Sequence, residues 1–350
     1  MSQSPTKRPR LSDVADRARV STSPASRALN GVGELSQETR DAVRRAAEEL
    51  GFRPSPTARS LRTRRSQTVG LIVPHVTHAF YAAVITGAQA TLEEHGYRLI
   101  LIHSGEDADS VTNALHTLLE HEVDGLLVST APFGAERFNE LLTDTACIFI
   151  DELAPGAGHG NVVLENRRGI ELLVAHLVDH GHQSIGYLGG PEDRTSGRER
   201  LEGFLAAMAR HDLRVRPELV RPGEWTIHSG FREASALLEV GPDPTAIVAA
   251  SAELALGALA AARHAGRAIP DDLALASFDD RYFAPLLEPA LTAITYDAPA
   301  VGREAARMLA EVMAGGGPHR EAVHVTVSLV RRRSCGCEYD PASDLGGVIE

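Results

Sequence analysis

Only three cysteines stand among the 350 residues. That is too few to staple a chain of this size, so a disulfide framework is excluded and a reducing compartment is expected. No run of about 18 apolar residues is available to span a bilayer, and the opening MSQSPTKRPRLSD lacks the apolar stretch of a secretory signal; a cytoplasmic protein with no membrane partner is expected. Aromatic residues make up 5% of the chain and Trp225 is its single tryptophan. No Gly-x-Gly-x-x-Gly follows a strand, no Walker loop is present, and Gly315-Gly-Gly317 before Pro318 reads as a turn. No catalytic constellation is visible, so neither an enzyme nor a cofactor is expected. Cys335-Gly-Cys337 has metal-like spacing but no second pair, and four-coordinate zinc needs more ligands, so no metal is expected either.

What is present is a soluble globular composition, 43% hydrophobic and 23% charged, in a chain longer than one ordinary domain. Its net charge of −12 divides unevenly: residues 1–66 hold 14 Lys and Arg against 7 Asp and Glu, and the remainder holds 21 against 40. A basic head can gain affinity from phosphate counterion release, while an acidic body is kept off the same polyanion. Charge alone is equally compatible with a solvated basic tail.

The head reads as short helices. Leu11, Val14, Ala15 and Ala18 form one apolar face, and Ser21 suits the N-cap of a second helix reaching about Asn30. A third fits Ser36 to Leu50, with Ser36 as cap, a stripe of Val43, Ala46, Ala47 and Leu50, and Gly51 as the stop. Ser55-Pro56 could then open a very short fourth helix, too short to offset its nucleation cost without a partner. From Thr68 onward, strand candidates at Val69–Val73, Arg98–Ile102, Gly125–Ser129, Cys147–Ile150, Ile185–Leu188, Ala246–Ala249 and Leu273–Phe278 alternate with helical stretches. This is the signature of parallel α/β sheets, long enough for two doubly wound lobes with a binding cleft at the strand ends between them.

Leu11-Ser-Asp-Val-Ala-Asp-Arg-Ala-Arg-Val-Ser21 followed by Thr-Ser-Pro-Ala-Ser-Arg-Ala-Leu-Asn30 fits a helix-turn-helix. With Ser36-Gln-Glu-Thr-Arg, Ala47-Glu-Glu-Leu-Gly-Phe-Arg-Pro and Ala58-Arg-Ser-Leu-Arg-Thr, it resembles the head of the lactose-repressor (LacI/GalR) family of bacterial transcription regulators. The likeness continues through Val69-Gly-Leu-Ile-Val-Pro, Val123-Asp-Gly-Leu-Leu, His180-Gly-His, Gly189-Gly-Pro, Arg198-Glu-Arg-Leu-Glu-Gly-Phe, Ser277-Phe-Asp-Asp and Arg333-Ser-Cys-Gly, covering about residues 10 to 336.

The resemblance implies an α/β chain in which a three-helix head and hinge helix are joined to a two-lobe body like a periplasmic binding protein. A disordered basic tail takes 1–10, the DNA-binding domain 11–53, the hinge and linker 54–67, and the effector-binding and dimerisation domain 68–336, before a tail at 337–350. Lobe one takes about 68–164 and 297–322, lobe two about 165–292 and 323–333. Implied partners are near-palindromic operator DNA, a small-molecule effector of the carbohydrate class, and a second copy; the tail after Cys337 has no apolar heptads for a tetramer bundle. A carbohydrate-binding protein without a DNA role is the competing reading, opposed by the basic helical head.

The implied DNA contacts are Leu11, Ser21, Thr22, Ser23, Ser26, Arg27, Asn30 and Thr39, with Ser55, Ala58 and Leu61 in the hinge. Arg27 suits guanine O6 and N7, Ser21 and Thr39 stand at helix starts that suit phosphates, and Leu61 is the apolar wedge for the minor groove. Two positions depart from the family pattern: Arg19 replaces a turn glycine, and Pro24 replaces a hydroxyl residue on the DNA face. The implied effector cleft is lined by Phe80, Tyr81, Asp151, Arg194, Ser196, Arg200, Trp225, Ser251, Asp279 and Tyr296. These suit a polyol, with carboxylate acceptors, an arginine fork and an aromatic face. Phe80 and Tyr81 are also compatible with interlobe core, and a turn cap is another use for Asp279, to which Asp280 is better suited. Ser251-Ala252 replaces the usual Asn-Asp, removing a polar anchor. His75 and His78 fall near the mouth, where they suit either an anionic effector or an ordinary surface.

Overall fold

Small apolar side chains at helical spacing build the first of two units, Met1–Gln67. In this computed structural model, which describes residues 9–30, 33–52, 65–239 and 244–339, the head contains α1 (Leu11–Arg17), α2 (Thr22–Asn30) and α3 (Gln37–Leu50). Val14, Ala15, Ala25, Ala28, Val43, Ala46 and Ala47 form its buried core. Five of these seven are alanine, which allows short helices to approach closely enough to exclude water. Ser36 Oγ accepts from Thr39 N at 3.3 Å to start α3, and Gly51 stops it at φ 61°. Between α1 and α2, Arg19 takes φ 56°, the left-handed turn where the family pattern has glycine, at a cost of about 1 kcal/mol. Most of the basic tail and hinge, including Ser55, Ala58 and Leu61, lies outside the described residues.

The second unit, Thr68–Glu350, alternates strands and helices in the order β1 (Thr68–Val73), α4 (Ala79–Glu94), β2 (Arg98–His103), α5 (Ala108–Glu120), β3 (Gly125–Val128), α6 (Ala135–Leu142), β4 (Ala146–Ile150), β5 (Asn161–Leu164), α7 (Asn166–Asp179), β6 (Ile185–Leu188), α8 (Thr195–Arg210), β7 (Val220–Arg221), α9 (Ile227–Glu239), β8 (Ala246–Ala249), α10 (Ala252–His264), β9 (Ala274–Phe278), β10 (Thr292–Thr295), α11 (Ala298–Met313), β11 (Val323–Val325) and β12 (Ser328–Val330). Two six-stranded sheets result, ordered β11-β5-β4-β3-β1-β2 and β12-β10-β9-β8-β6-β7. Every pairing is parallel except β10 with β12. Strands β3, β4, β6, β8 and β9 are buried along their whole length, as parallel strands covered by helices on both faces must be. Among the described residues no helix is long and apolar enough to cross a membrane.

Strands β5, β7, β10, β11 and β12 are absent from the sequence reading. β7, β11 and β12 have only two or three residues, too short for a hydrophobic pattern, and all five depend on a neighbour to supply their hydrogen bonds. One boundary is corrected: Val323–Val325 pairs with β5 in the first sheet, so the chain enters lobe two between 325 and 328, not at 323. The chain thus crosses between lobes three times, at Glu165, at Tyr296–Asp297 and at Thr326–Val327. The crossings lie side by side: Glu165 N donates to Val325 O at 3.1 Å, Val327 N to Glu165 Oε2 at 3.3 Å, and Thr295 pairs with Ser328.

Helices α4 and α11 pack almost backbone to backbone. A Cβ on Gly87 would lie 2.0 Å from Pro299 O, and one on Gly302 2.0 Å from Val84 O. This contact fixes the start of α4, which carries Tyr81, against the start of α11, which follows Tyr296. Gly302→Ala forces these backbones apart and is expected to cost about 1–3 kcal/mol, read as a lower urea midpoint at unchanged m-value.

Candidate functional site

The carboxyl ends of the parallel strands converge on one cleft. Strand β1 leads to Phe80 and Tyr81, β4 to Asp151 and Glu152, β8 to Ser251, β9 to Asp279 and β10 to Tyr296, while the start of α8 brings Arg194, Ser196 and Arg200. Open α/β sheets place ligands here because the connecting loops diverge at that edge. The cleft measures about 780 Å³, the size of a small-molecule site, and all ten residues of the sequence-based set line it. Phe80 serves both uses considered for it: it is buried in the core and lines the cleft, its ring edge-on to Tyr81 at 5.1 Å and to Tyr296 at 6.2 Å.

Arg200 forms the floor. Its Nε donates to Asn166 Oδ1 at 2.9 Å and its Nη1 to Ala250 O at 2.6 Å, while Nη1 stands 3.8 Å from Asp279 Oδ2. The guanidinium lies 3.7 Å from the centre of the Phe278 ring and 5.5 Å from that of Trp225. Asn166 is held in turn by donating to Glu199 Oε2 at 3.0 Å. Asp279 is buried, takes φ 70°, and accepts from the Tyr296 hydroxyl, so it caps nothing. Its neighbour Asp280 is not a turn cap either: both its oxygens accept from buried Arg332, each at 2.8 Å. Ser251 Oγ accepts from Leu254 N at 3.2 Å and so caps α10. Trp225 lies over Gly190, where a Cβ would come within 2.2 Å of the indole.

Asp151 carries an unsatisfied group in the cleft. It turns the chain after β4 at φ 60°, and its Oδ1 is sealed from solvent without a hydrogen-bond partner. Burial raises its carboxyl from an ordinary 3.8 to about 7, with Arg200 opposing the rise and Glu152, Asp279 and Glu199 adding to it.

Polar bridges join the two lips. From lobe two, Arg194 Nη1 donates to Thr130 Oγ1 at 2.9 Å and Nη2 to Glu106 O at 3.3 Å, with Glu106 Oε2 also at 3.3 Å. Thr195 donates to Glu152 Oε2 through Oγ1 at 2.8 Å and through N at 3.2 Å. Across the seam His78 Nε2 stands 3.5 Å from Glu253 Oε1, which also faces Arg281 Nη2 at 3.7 Å. Burial pushes Glu253 up, but His78 and Arg281 outweigh it and hold the carboxyl at about 2. His78 is therefore a seam residue, while His75 is exposed and 3.7 Å from Glu106. Glu106, Glu152 and Glu253 are missing from the sequence-based set; the available signal was an acid placed within three residues of a strand end or helix cap.

In the head, Ser21, Thr22, Ser23 and Arg27 are exposed, and Ser26 is half-buried between the inward-facing Ala25 and Ala28. Thr39 is half-buried with its hydroxyl 2.8 Å from Ser36 Oγ, and Leu11 opens α1 half-buried. Pro24 sits in the first turn of α2, where its missing N–H has no helical partner to lose.

Comparison with known proteins agrees with this division. Residues 10–55 match the family described as bacterial regulatory proteins, lacI family, and residues 174–335 match the periplasmic binding protein-like domain. The chain is 31% identical over 307 residues to the HTH-type transcriptional repressor CytR of Escherichia coli (strain K12), covering 87% of this chain and 90% of that one. It is 28% identical over 326 residues to the repressor PurR of Pasteurella multocida (strain Pm70), covering 93% and 98%. Among solved structures, the lac repressor dimer bound to operator and the anti-inducer ONPF superposes with a TM-score of 0.86 at 27% identity, covering 94% of this chain and 99% of that one. The transcriptional regulator CelR–cellobiose complex gives 0.71 at 29%, covering 93% and 100%.

The raised carboxyl of Asp151 has a stability signature. Between its ordinary value of 3.8 and about 7 the folded chain keeps a proton that the unfolded chain has lost, so the stability this proton confers disappears as pH rises through about 7. Asp151→Asn is neutral throughout. Its melting temperature should exceed that of the wild type at about pH 8.5, with the difference shrinking steadily below about pH 7 and closing only toward the ordinary carboxyl value of 3.8.

Proposed function

The chain belongs to the LacI family of bacterial regulatory proteins, DNA-binding transcription regulators and not enzymes, and from that premise we propose a dimeric repressor controlled by a neutral, polyhydroxylated ligand, a sugar or sugar derivative, held between its lobes. The observation that carries the ligand class is charge. The cleft presents seven carboxyl groups, Glu106, Asp151, Glu152, Asp193, Glu224, Glu253 and Asp279, of which Asp151 keeps its proton up to about pH 7, against the two arginines Arg194 and Arg200 that line it. A phosphorylated or acidic ligand meets net repulsion there, and His78 is already engaged by Glu253. Hydroxyl groups meet acceptors at Asp151 and Asp279, a donor fork at Arg200, hydroxyls at Ser196 and Ser251, and an indole face at Trp225 for the apolar side of a ring. The CelR neighbour, which shares the body's fold, is a cellobiose complex.

On the DNA side, α2 enters the major groove with Thr22, Ser23, Ser26, Arg27 and Asn30, Arg27 reading guanine. Leu11, Ser21 and Thr39 contact the backbone, and Ser55, Ala58 and Leu61 of the hinge reach the minor groove. One head offers few base contacts, so two are needed, and the second multiplies affinity through effective concentration. Exposed apolar side chains available to a second copy include Leu101 on edge strand β2 and Tyr282 and Leu286 after β9. The site of action is the cytoplasm, where DNA is. Ligand in the cleft favours a lobe arrangement that separates the paired hinges, and operator affinity falls.

The test is to follow Trp225 fluorescence while titrating neutral sugars and sugar phosphates. A saturable change with a neutral sugar, lost in Asp279→Asn, is expected; a response confined to the phosphates overturns the ligand class. In a gel-shift titration Leu61→Ala should weaken operator binding by about 2–4 kcal/mol with sugar affinity unchanged, and equal operator affinity removes the wedge role.

A further inference from the structure

Outside the cleft, four groups of metal-ligating chemistry meet at the far end of α7. His176 lies in the last turn of that helix and His180 caps it, one helical turn apart and on one face. Opposite them the chain leaves β12 and turns through Cys335-Gly336-Cys337. Gly336 takes φ 88°, a left-handed conformation that lets the segment double back so that both thiols point to the same side. Cys335 Sγ stands 3.1 Å from His176 Nε2, and Cys337 Sγ stands 3.5 Å from His176 Nε2 and 3.3 Å from His180 Nε2. The four ligating atoms all lie within 4.8 Å of one another.

We propose that His176, His180, Cys335 and Cys337 bind one Zn²⁺ ion, a structural site that clamps the C-terminal turn of the chain to α7. Tetrahedral zinc with Zn–S of about 2.3 Å and Zn–N of about 2.0–2.1 Å has sulfur–nitrogen edges of about 3.5 Å, which small side-chain shifts reach from the distances found here. Two thiolates balance the ion's charge, so the cluster is neutral, and that suits a site in which His176 and Cys335 are buried. Thr292 Oγ1, which donates to Arg332 O at 2.9 Å, also stands 3.0 Å from Cys335 Sγ, close enough for its hydrogen to turn to a metal-bound thiolate. On the other side His180 is exposed and Cys337 half-exposed, which leaves an entry path for the ion. A complete set of two sulfurs and two imidazoles, without an open position, is the donor set of structural zinc.

The proposal departs from the expectation of no metal drawn from the cysteine pair alone. The missing ligands are 155 and more residues earlier in the chain, and His176-x-x-x-His180 is the spacing that a helix turns into a ligand pair. The clamp has reach. At its other end α7 begins with Asn166, which orients Arg200 in the cleft, and the clamped turn follows Arg332, which holds Asp280. Zinc would thus tie together two supports of the cleft floor from outside it.

The test uses the full chain, purified in the presence of a phosphine reductant and without added chelator. Elemental analysis should find one zinc per chain. After removal of the metal, one equivalent of Co²⁺ should give the intense visible absorption of a tetrahedral site together with a thiolate-to-metal charge-transfer band. Cys337→Ser and His180→Ala alter the two least buried ligands and so leave the core intact; each should lose the stoichiometric zinc and weaken its retention against a chromogenic chelator at least 10-fold. The melting temperature of the wild type should fall on metal removal and recover with Zn²⁺. Reduced wild type that carries no zinc and cannot take it from the chelator overturns the proposal. So does a Co²⁺ spectrum without thiolate bands, or zinc retained undiminished in both variants.

Discussion

A guanidinium shut away from water has to find its acceptors within the protein, and in this molecule Arg200 draws them from across lobe two. Asn166 at the start of α7, the Ala250 carbonyl after β8 and Asp279 after β9 all turn toward it, while Phe278 offers its ring face. Each of those groups has further obligations, Asn166 to Glu199 and Asp279 to Tyr296. Leaving any of them unpaired carries a full desolvation penalty, so the floor of the cleft is specified as a set. The excess of carboxyl groups around this deeply placed cation is the ground for the proposed preference for hydrogen-bonding, uncharged ligands.

The lips are built differently from the floor. Arg194 meets Glu106, and His78 meets Glu253 and Arg281, across the seam at 3.3–3.5 Å, through polar groups that a change in lobe spacing can exchange for water or for a ligand. Apolar core at the same place would make one arrangement far more stable than any other. On the proposed mechanism a polar seam would keep two arrangements close in free energy, and a ligand can only shift an equilibrium whose gap is within its own differential affinity.

Much of this was legible in the sequence, for local reasons. Ser36 and Gly51 bracket α3 because a hydroxyl cap and a left-handed glycine act within a few residues, and the central strands are apolar runs because both their faces are covered. The lining of the cleft followed from family resemblance: residues at the ends of separate strands converge only through the fold, and no spacing rule places Asp151 beside Tyr296. The unread parts depend on distant partners. Val323–Val325 is a strand because β5 is there to pair with it, Asp280 is a salt-bridge partner because Arg332 comes back to it 52 residues later, and Cys335 looked isolated because its neighbours His176 and His180 lie on α7.

The three side-by-side crossings at Glu165, Tyr296–Asp297 and Thr326–Val327 act mechanically as a door hinge with three knuckles. Neighbouring attachments joined by backbone hydrogen bonds resist sliding, and they resist the lobes being drawn directly apart, which leaves swinging about one axis as the soft motion. On the proposed mechanism a ligand of any shape would then be reported through a single coordinate, the opening angle. The displacement produced by a given angle grows with distance from the axis, so a contact made deep in the cleft is amplified toward the ends of the lobes.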